Sequence, residues 1–279
     1  MVISVASGKG GTGKTTIAVS LALSIENSQI IDCDVEEPNA RLFLNPEIKQ
    51  KIEVTSVIPK VDKEKCNLCG YCSNVCAYNA LSVIKLDSSG DVILFPQLCH
   101  GCEGCILLCP EKAMQKDYRT IGEITVGSRE NVEFIEGKLN ISEVLAPKVI
   151  EEAKKFIKPD KITIIDAPPG TSCPAVAAVK GSDFCILVTE PTPFGLHDLE
   201  LAYEATRALK IKSGVIINKS GDDQLIEEFC RKNKIHVLLK IPFNREIAET
   251  YSKGIPLVKA MPQYKEIFQK IYKDIKENL

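Results

Sequence analysis

Eight of the twelve cysteines in this 279-residue chain stand in two runs of identical spacing, and these runs constrain the fold more than any other feature. The runs read Cys66-x2-Cys69-x2-Cys72-x3-Cys76 and Cys99-x2-Cys102-x2-Cys105-x3-Cys109-Pro110. Three thiolates close together in sequence can wrap one face of a cluster, and a fourth thiolate closes it. The spacing predicts two [4Fe–4S] clusters. Paired four-cysteine zinc sites are the alternative, although zinc sites usually place two CxxC pairs further apart.

Charge and composition narrow the class of protein. The formal net charge of −2 gives no overall attraction to nucleic acid or to acidic lipid. No apolar run approaches the roughly 20 residues that a membrane span needs. Residues 1–6 read as a short apolar strand rather than as a signal peptide. We therefore expect a cytoplasmic protein, in a compartment reducing enough to keep the cysteines as thiolate ligands, with no nucleic-acid partner and no membrane partner.

A glycine-rich loop follows that first apolar strand. It reads Gly8-Lys9-Gly10-Gly11-Thr12-Gly13-Lys14-Thr15-Thr16. A loop of this kind between a strand and a helix presents backbone amides to phosphate groups. We expect the amides to hold the phosphates of ATP, Lys14 to neutralise them and Thr15 to hold Mg²⁺.

Outside the cysteine region, apolar strands alternate with amphipathic stretches. The alternation predicts an α/β fold with a mainly parallel sheet covered by helices on both faces. The predicted strands are residues 2–6, 29–34, 53–61, 121–134, 162–166, 184–189, 214–218 and 236–241. The predicted helices are residues 15–25, 143–157, 195–209, 222–233, 245–251 and 263–277.

The cysteine-dominated segment interrupts this alternation, which indicates a domain placed within a domain. We expect a discontinuous nucleotide-binding domain made of residues 1–59 and 120–279. The inserted two-cluster domain would span residues 60–119, with its two ends close together in space.

The glycine loop carries a second lysine, Lys9, near its start. The pattern Gly-Lys-Gly-Gly-x-Gly-Lys-Thr-Thr is similar to the deviant Walker A motif of the MinD/ParA family of P-loop ATPases, which includes the nitrogenase iron protein. This resemblance implies a homodimer that sandwiches two nucleotides. In such a dimer Lys9 would reach across to the ATP of the opposite subunit.

Further stretches resemble the same family. Asp32-Cys33-Asp34 resembles switch I, which implies that Asp34 orients the attacking water and that Asp32 lies nearer the Mg²⁺ shell. The stretch from Asp166 to Thr171, Asp-Ala-Pro-Pro-Gly-Thr, resembles Walker B followed by switch II. There Asp166 would bind Mg²⁺ through water, and Gly170 would donate its amide to the γ-phosphate.

The base site is implied by a third stretch. Asn218-Lys219 resembles the pair that recognises adenine in this family, and Pro242 is expected to line the same pocket. With the motifs above, the resemblance covers nearly the whole chain. It is that of an iron–sulfur subfamily of MinD-type ATPases carrying an inserted ferredoxin.

The cysteine runs themselves resemble those of bacterial two-cluster ferredoxins. In such proteins the fourth cysteine of each run ligates the cluster of the other run. The resemblance implies one cluster held by Cys66, Cys69, Cys72 and Cys109. It implies a second cluster held by Cys99, Cys102, Cys105 and Cys76. The chain departs from the pattern at Ala77, where a proline commonly follows the fourth cysteine.

Four cysteines lie outside the runs. Cys173 stands seven residues after Asp166, the same offset as a ligand of the dimer-bridging cluster in the nitrogenase iron protein. The stretch that would hold the second bridging ligand, residues 188–190, has no cysteine. Cys33, Cys185 and Cys230 read as small buried hydrophobes. We expect His100, inside the second run, to lie at the surface.

Three functions are compatible with these motifs. The first is an ATP-gated electron donor, in which nucleotide-driven dimer closure is coupled to two [4Fe–4S] clusters. The second is an ATP-dependent carrier or scaffold for iron–sulfur or metal-cofactor assembly. The third is a MinD-like positioning switch. The first two predict an unidentified redox or cofactor-assembly partner protein.

Overall fold

The computed structural model describes residues 1–86 and 89–277. The strands are β1 Val2–Ala6, β2 Ser28–Asp32, β3 Glu47–Val61, β4 Leu81–Leu86, β5 Ser89–Leu94, β6 Met114–Arg129, β7 Val132–Leu139, β8 Ile162–Asp166, β9 Phe184–Thr189, β10 Lys212–Ser220 and β11 His236–Pro242. The helices are α1 Lys14–Ser24, α2 Ala40–Leu44, α3 Tyr71–Asn74, α4 Gly104–Leu107, α5 Ala146–Lys154, α6 Cys173–Val179, α7 Pro193–Ala208, α8 Gln224–Asn233, α9 Arg245–Ser252, α10 Leu257–Ala260 and α11 Gln263–Glu277. Pro96–Leu98 forms a short 3₁₀ helix.

The chain divides into two compact units. The first unit comprises Met1–Ile52, Ile124–Lys138 and Pro147–Leu279, and the second comprises Glu53–Glu123 and Leu139–Ala146. The predicted insert, residues 60–119, lies within the second unit.

A sheet that is nine-stranded over the described residues has the order β11-β10-β9-β1-β8-β2-β7-β6-β3. The neighbouring pairs from β11 through β7 are parallel, which confirms the predicted mainly parallel sheet. In the register of β8, Asp166 pairs with Val5 of β1 and with Asp32 of β2. The carboxyl ends of three central strands therefore bring the glycine loop and both aspartate motifs to one edge of the sheet.

The core of the first unit explains why these strands and helices form. β1 is apolar except for Ser4, and β2 carries the apolar pair Ile30 and Ile31. Both strands are buried almost throughout, as expected for strands covered on both faces. Helix α1 buries Ile17 and Leu21 completely, and α11 adds Phe268, Ile271 and Ile275 to the same cluster. The apolar face of α11 is therefore buried in this core. Within the described residues, no helix is both long and apolar enough to span a membrane.

Several predicted boundaries were wrong. The single strand predicted at residues 121–134 is two strands, because the chain turns at Glu130 and Asn131 with Glu130 in a left-handed conformation (φ 53°). A connection of two residues between neighbouring strands makes this pair a hairpin. The helix predicted at residues 143–157 is shorter, Ala146–Lys154.

The second unit contains a hairpin that the sequence did not indicate. Strands β4 and β5 pair antiparallel, with Leu81 opposite Leu94. Leu81 packs with Cys72 and Met114 in a small apolar cluster. Such a limited core provides little stability by itself.

Candidate functional site

The glycine loop joins β1 to α1 at the carboxyl edge of the sheet. Two of its glycines are required by close contacts. A Cβ at Gly8 would lie 2.2 Å from the Asp198 carbonyl oxygen, and one at Gly13 (φ 93°) would lie 2.5 Å from the Asn218 Nδ2. Thr12, between them, is buried. The loop thus has a fixed path with its backbone close to its neighbours.

Lys14 begins α1 and is only 6% exposed. Burial lowers the pKa of Lys14 from its ordinary value, and the carboxylates of Asp166 and Asp34 oppose that decrease. The structure therefore places the predicted phosphate-binding lysine within the electrostatic reach of both predicted acidic residues.

Asp166 ends β8 and is 1% exposed, with neither carboxylate oxygen hydrogen-bonded to the protein. Burial raises the pKa of Asp166 to about 7, and the Thr15 hydroxyl and the Lys14 ammonium oppose the increase. Thr15 lies near this carboxylate without meeting the geometry of a hydrogen bond. A buried, unpartnered carboxylate beside a hydroxyl is an oxygen set that suits Mg²⁺.

Asp32 ends β2, and its predicted place near the Mg²⁺ shell remains a prediction. Its fully buried carboxylate accepts hydrogen bonds from the backbone amides of Asp34 (3.1 Å), Asn39 (3.0 Å) and Ala40 (2.9 Å). Burial and then the neighbouring Asp166 raise the pKa of Asp32 well above its ordinary value, and the amides of Ala40 and Asp34 oppose this. Asp32 therefore holds the switch I loop and the first turn of α2 in place.

Asp34 faces the cavity above the glycine loop. Burial raises the pKa of this half-buried carboxyl to about 6, while the Lys14 ammonium opposes the increase. A carboxylate with this pKa can accept a hydrogen bond or a proton near neutral pH. Its predicted function, orienting the attacking water, remains a prediction.

One cavity of the first unit gathers most of the predicted nucleotide residues. They are Gly10, Gly11, Gly13, Lys14, Thr15, Thr16, Asp34, Asn218, Lys219 and Pro242. The sequence reasoning missed its apolar wall, to which Phe243, Ile247 and Tyr251 contribute. These three residues recur every four positions directly after Pro242, a helical spacing that could have indicated them.

Four of the predicted ligand-contacting residues have protein partners in this structure. Lys9 lies 3.3 Å from Glu190, whose other carboxylate oxygen accepts a 2.6 Å hydrogen bond from Lys219. The Asn218 Nδ2 donates to the Thr12 carbonyl (2.8 Å). The Gly170 amide, expected at the γ-phosphate, donates to the carbonyl of Ser7 (2.9 Å). Binding a nucleotide through these groups requires an exchange of partners.

Glu190, which the sequence analysis did not predict as a site residue, forms ion pairs with both Lys9 and Lys219. Burial opposes its ionisation, but the Lys219 and Lys9 ammonium groups outweigh that effect and hold the pKa of Glu190 below its ordinary value. Glu190 thus links the end of β9 to the glycine loop and to the end of β10.

The eight run cysteines surround two cavities of the second unit. The first cavity is lined by Cys66, Cys69, Cys72 and Cys109. The second is lined by Cys76, Cys99, Cys102 and Cys105. Each cavity combines three cysteines of one run with the fourth cysteine of the other run, the grouping that the ferredoxin resemblance implies.

Electrostatics agree with this grouping. Burial raises the pKa of Cys105 to about 11, with further increases from Cys99, Cys102 and Cys76. Burial, followed by Cys66 and Cys69, likewise raises the pKa of Cys72. Cys72 and Cys105 therefore ionise poorly by themselves, and a bound cationic centre would favour their thiolate forms.

The crossing cysteines are alike in their backbone surroundings. The amide of Ala80 donates to Cys76 Sγ, and the amide of Ala113 donates to Cys109 Sγ, each over 3.3 Å. The residues present therefore suit two cysteine-ligated clusters. Among residues 1–86 and 89–277, no three side chains of His, Cys, Asp or Glu are placed to hold a single metal ion.

The cysteines outside the runs differ in accessibility. Cys33, Cys185 and Cys230 are buried, as predicted, and burial raises the pKa of Cys185 to about 12. Cys173 is exposed at the first residue of α6, next to the predicted switch II.

Comparison with known proteins identifies the family. Residues 3–257 match the model of the CobQ/CobB/MinD/ParA nucleotide-binding domain. The chain belongs to this family. It is 34% identical over 266 residues to the uncharacterized protein MJ0579 of Methanocaldococcus jannaschii, covering 93% of this chain and 92% of that protein.

Two further similarities concern the nucleotide-binding fold and the cysteine runs separately. The solved structure of the septum site-determining protein MinD of Pyrococcus horikoshii, complexed with Mg-ADP, matches with a TM-score of 0.59, 21% identity and coverage of 98% of this chain and 95% of that one. Ferredoxin-3 of Nostoc sp. is 32% identical over 66 residues, which are 18% of this chain and 68% of that protein. The chain thus has the α/β P-loop NTPase fold of MinD, in a family of nucleotide-binding ATPases.

Proposed function

We propose that this member of the MinD/ParA family is an ATP-hydrolysing iron–sulfur protein, in which nucleotide-driven closure of a homodimer is coupled to electron transfer through two [4Fe–4S] clusters. The observation that carries the proposal is the crossed arrangement of cysteines, three from one run and one from the other around each cavity. The ferredoxin likeness also supports it.

The nucleotide half of the proposal is supported by the polar groups at the carboxyl edge of the sheet. Lys14 would bind the phosphates, and Thr15 with Asp166 would hold Mg²⁺, which supplies charge stabilisation to phosphoryl transfer. Asp34 would accept a hydrogen bond from the attacking water. Asn218, Lys219 and Pro242 would position the base against the apolar wall of α9.

Closure of the dimer would depend on Lys9. In the present structure Lys9 pairs with Glu190 of its own subunit. To reach the nucleotide of a second subunit, Lys9 must leave Glu190 and exchange one anionic partner for another. Hydrolysis would remove the γ-phosphate and return Lys9 to Glu190. This exchange gives the nucleotide cycle two defined positions for a single lysine.

For the electron-transfer part of the proposal, the four cysteines that line each cavity would together hold one cluster. Cys66, Cys69, Cys72 and Cys109 would hold one cluster. Cys76, Cys99, Cys102 and Cys105 would hold the other. The clusters would supply one-electron chemistry, and the protein would tune them through burial and through the amides of Ala80 and Ala113.

An anaerobic redox titration followed by EPR, with and without a non-hydrolysable MgATP analogue, tests the coupling. We expect two clusters per chain and a nucleotide-dependent shift of about 30 mV or more, since 30 mV corresponds to about 0.7 kcal/mol for a one-electron centre. The Lys14→Ala variant is the control and should show no shift. Unchanged potentials together with an unchanged rate of electron transfer to an acceptor would contradict the proposal. Bound zinc in place of iron would contradict its metal assignment.

A second function, a carrier for iron–sulfur or metal-cofactor assembly, is favoured by one observation. Cys173 is exposed beside switch II, where a nucleotide-controlled ligand would need to be. This function predicts labile iron that passes to an apo-protein while the eight-cysteine clusters remain in place. A Cys173→Ser variant should then lose the transfer but keep both clusters.

The third function, a MinD-like positioning switch, predicts ATP-dependent sedimentation with anionic vesicles or with DNA. The apolar residues of α11 lie in the core of the first unit and are thus not presented to a bilayer. We therefore rank this function below the other two.

A further inference from the structure

Two side-chain contacts occupy equivalent positions at the two cysteine cavities. At the second cavity, the rings of Tyr78 and His100 stack with centroids 3.6 Å apart and an interplanar angle of 9°. At the first cavity, the Asn67 Nδ2 donates to the Glu111 carboxylate over 3.0 Å. All four side chains belong to residues that line the cavity concerned.

The equivalence is one of position in the runs. His100 directly follows Cys99, the first cysteine of its run, as Asn67 directly follows Cys66. Tyr78 stands two residues after the crossing cysteine Cys76. Glu111 likewise stands two residues after the crossing cysteine Cys109. Each contact therefore joins the start of one run to the end of the other run.

This placement has a physical reason. Three cysteines of each cavity lie within one short run, so that local turns suffice to bring them together. The crossing cysteine comes from a distant part of the chain, and closing that loop costs conformational entropy. A contact between the residues that flank Cys99 and Cys76 holds these two distant chain segments together beside the crossing cysteine. It thereby offsets part of the entropy lost on closing the loop.

We propose that these pairs are positioning residues for the crossed fourth ligand of each cluster. We name them clasps: the aromatic clasp is Tyr78–His100, and the polar clasp is Asn67–Glu111. The inference rests on the proposed function, since it concerns how the chain holds the clusters. It adds that the two cluster sites are unequal, because their clasps differ chemically.

The difference between the clasps predicts a difference in strength. Stacked aromatic pairs contribute beyond their buried area, whereas a hydrogen bond between exposed side chains contributes little in water. Tyr78 is 45% exposed and His100 is also exposed, so the stack does not serve general core packing. The backbone N–H···S bonds at Cys76 and Cys109 are of the same length, so these bonds do not distinguish the two sites.

The test uses the full-length protein reconstituted anaerobically with iron and sulfide. Iron release to a chelator is followed by absorbance, and EPR of the reduced samples distinguishes two interacting clusters from one isolated cluster. For His100→Ala we expect half of the iron to leave about two- to tenfold faster, as the strength of aromatic pairs implies. For Glu111→Ala, which leaves the hydrogen bond from the Cys69 amide to the Asn67 Oδ1 in place, we expect the other half to leave faster by about twofold at most.

Two matched variants identify the stack as the cause. His100→Phe keeps a ring at the same place but removes the imidazole nitrogens, and it should release iron at the wild-type rate. Tyr118→Ala removes an exposed ring of the second unit that lines neither cavity, and it should also match the wild type. Tyr78→Leu should resemble His100→Ala, and the double variant should be no faster than either single one.

The outcomes separate this inference from the proposed function. A wild-type protein without two cubane clusters contradicts the proposed function before any variant is compared. If the wild type holds both clusters, wild-type release from His100→Ala and Tyr78→Leu overturns the aromatic clasp, as does equal acceleration of all the iron. If His100→Phe is as fast as His100→Ala, the imidazole nitrogens are responsible and the stack is not. If His100→Ala takes up no cluster, Tyr78→Leu decides by the same criteria.

Discussion

The two units of this protein hold their functional residues in opposite ways. In the first unit several polar groups of the nucleotide site have partners within the protein: Lys9 has Glu190, Asn218 has Thr12, and Gly170 has Ser7. The Asp166 carboxylate is an exception. In the second unit the run cysteines have chiefly one another, and burial followed by the neighbouring cysteines raises the pKa of Cys72 and of Cys105. We therefore expect the first site to fold without its ligand and the second to depend on the clusters that we propose it binds.

We expect removal of the proposed clusters to have the largest effect on the difference between the two units. We expect amide protection in the second unit to fall by about 100-fold or more on anaerobic chelation, because binding free energy at such sites is also folding free energy. Protection in the first unit should change far less. Hydrogen exchange followed by mass spectrometry measures both units in one sample. Protection of β4 and β5 that survives chelation would show that the small core suffices.

Asp166→Asn should have the next largest effect. Loss of the unpartnered carboxylate removes a charge that would hold Mg²⁺, so the rate of ATP hydrolysis should fall by about 100-fold or more. Asp223→Asn, at the start of α8 and outside the cavity, is the control. Steady-state phosphate release at saturating Mg²⁺ measures the effect. Hydrolysis within threefold of wild type would remove Asp166 from the mechanism.

The carboxyl groups of Asp34 and Asp166 also determine how the stability of the first unit should depend on pH when neither nucleotide nor metal is bound. The pKa values of Asp34 and Asp166 are raised to about 6 and about 7, so between about pH 4 and pH 7 the folded state binds more protons than the unfolded state. The free energy of unfolding of the first unit should therefore decrease as the pH rises through this interval. Denaturant titrations at several pH values measure the slope, and Asp166→Asn should flatten it. A rising slope would contradict the assignment.

The smallest effect concerns Glu190. Glu190→Gln removes the charge that holds both Lys9 and Lys219, and we expect the affinity for ATP to change by about two- to fivefold, in line with partly exposed ion pairs. Isothermal titration calorimetry provides the measurement. Glu227→Gln breaks a comparable exposed pair with Lys240 away from the cavity and should leave the affinity unaltered. Equal affinities for ATP in the two variants would show that Glu190 has no specific role in nucleotide binding.

The features predicted correctly from the sequence are those that depend on local pattern. The observed bounds Val2–Ala6 and Gln263–Glu277 coincide with the predicted strand and helix, because each has an unbroken apolar periodicity. The chain alternation also predicted the parallel sheet. In contrast, α2 and the β4–β5 hairpin were missed, since both are short and are stabilised by contacts with distant residues.

The residues of the candidate site also fall into two groups, those that a local sequence pattern predicts and those that depend on the order of strands. The glycine loop and the cysteine runs are recognisable because their chemistry requires residues at fixed spacing. The bridging position of Glu190 and the three amides bound by Asp32 depend on which strands are neighbours in the sheet, which no local pattern specifies. The order of strands, with β1 between β8 and β9, is what brings these groups together.

The crossed grouping of the cysteines has a consequence for synthesis of the chain. The second cavity gains its last cysteine at Cys105, and the first cavity gains its last cysteine at Cys109. A nascent chain that has emerged only as far as the first run therefore offers no complete set of four ligands, although it already carries Cys66 to Cys76. Both sets become complete within four residues of each other, so insertion of either proposed cluster would have to wait until the ribosome has delivered both runs.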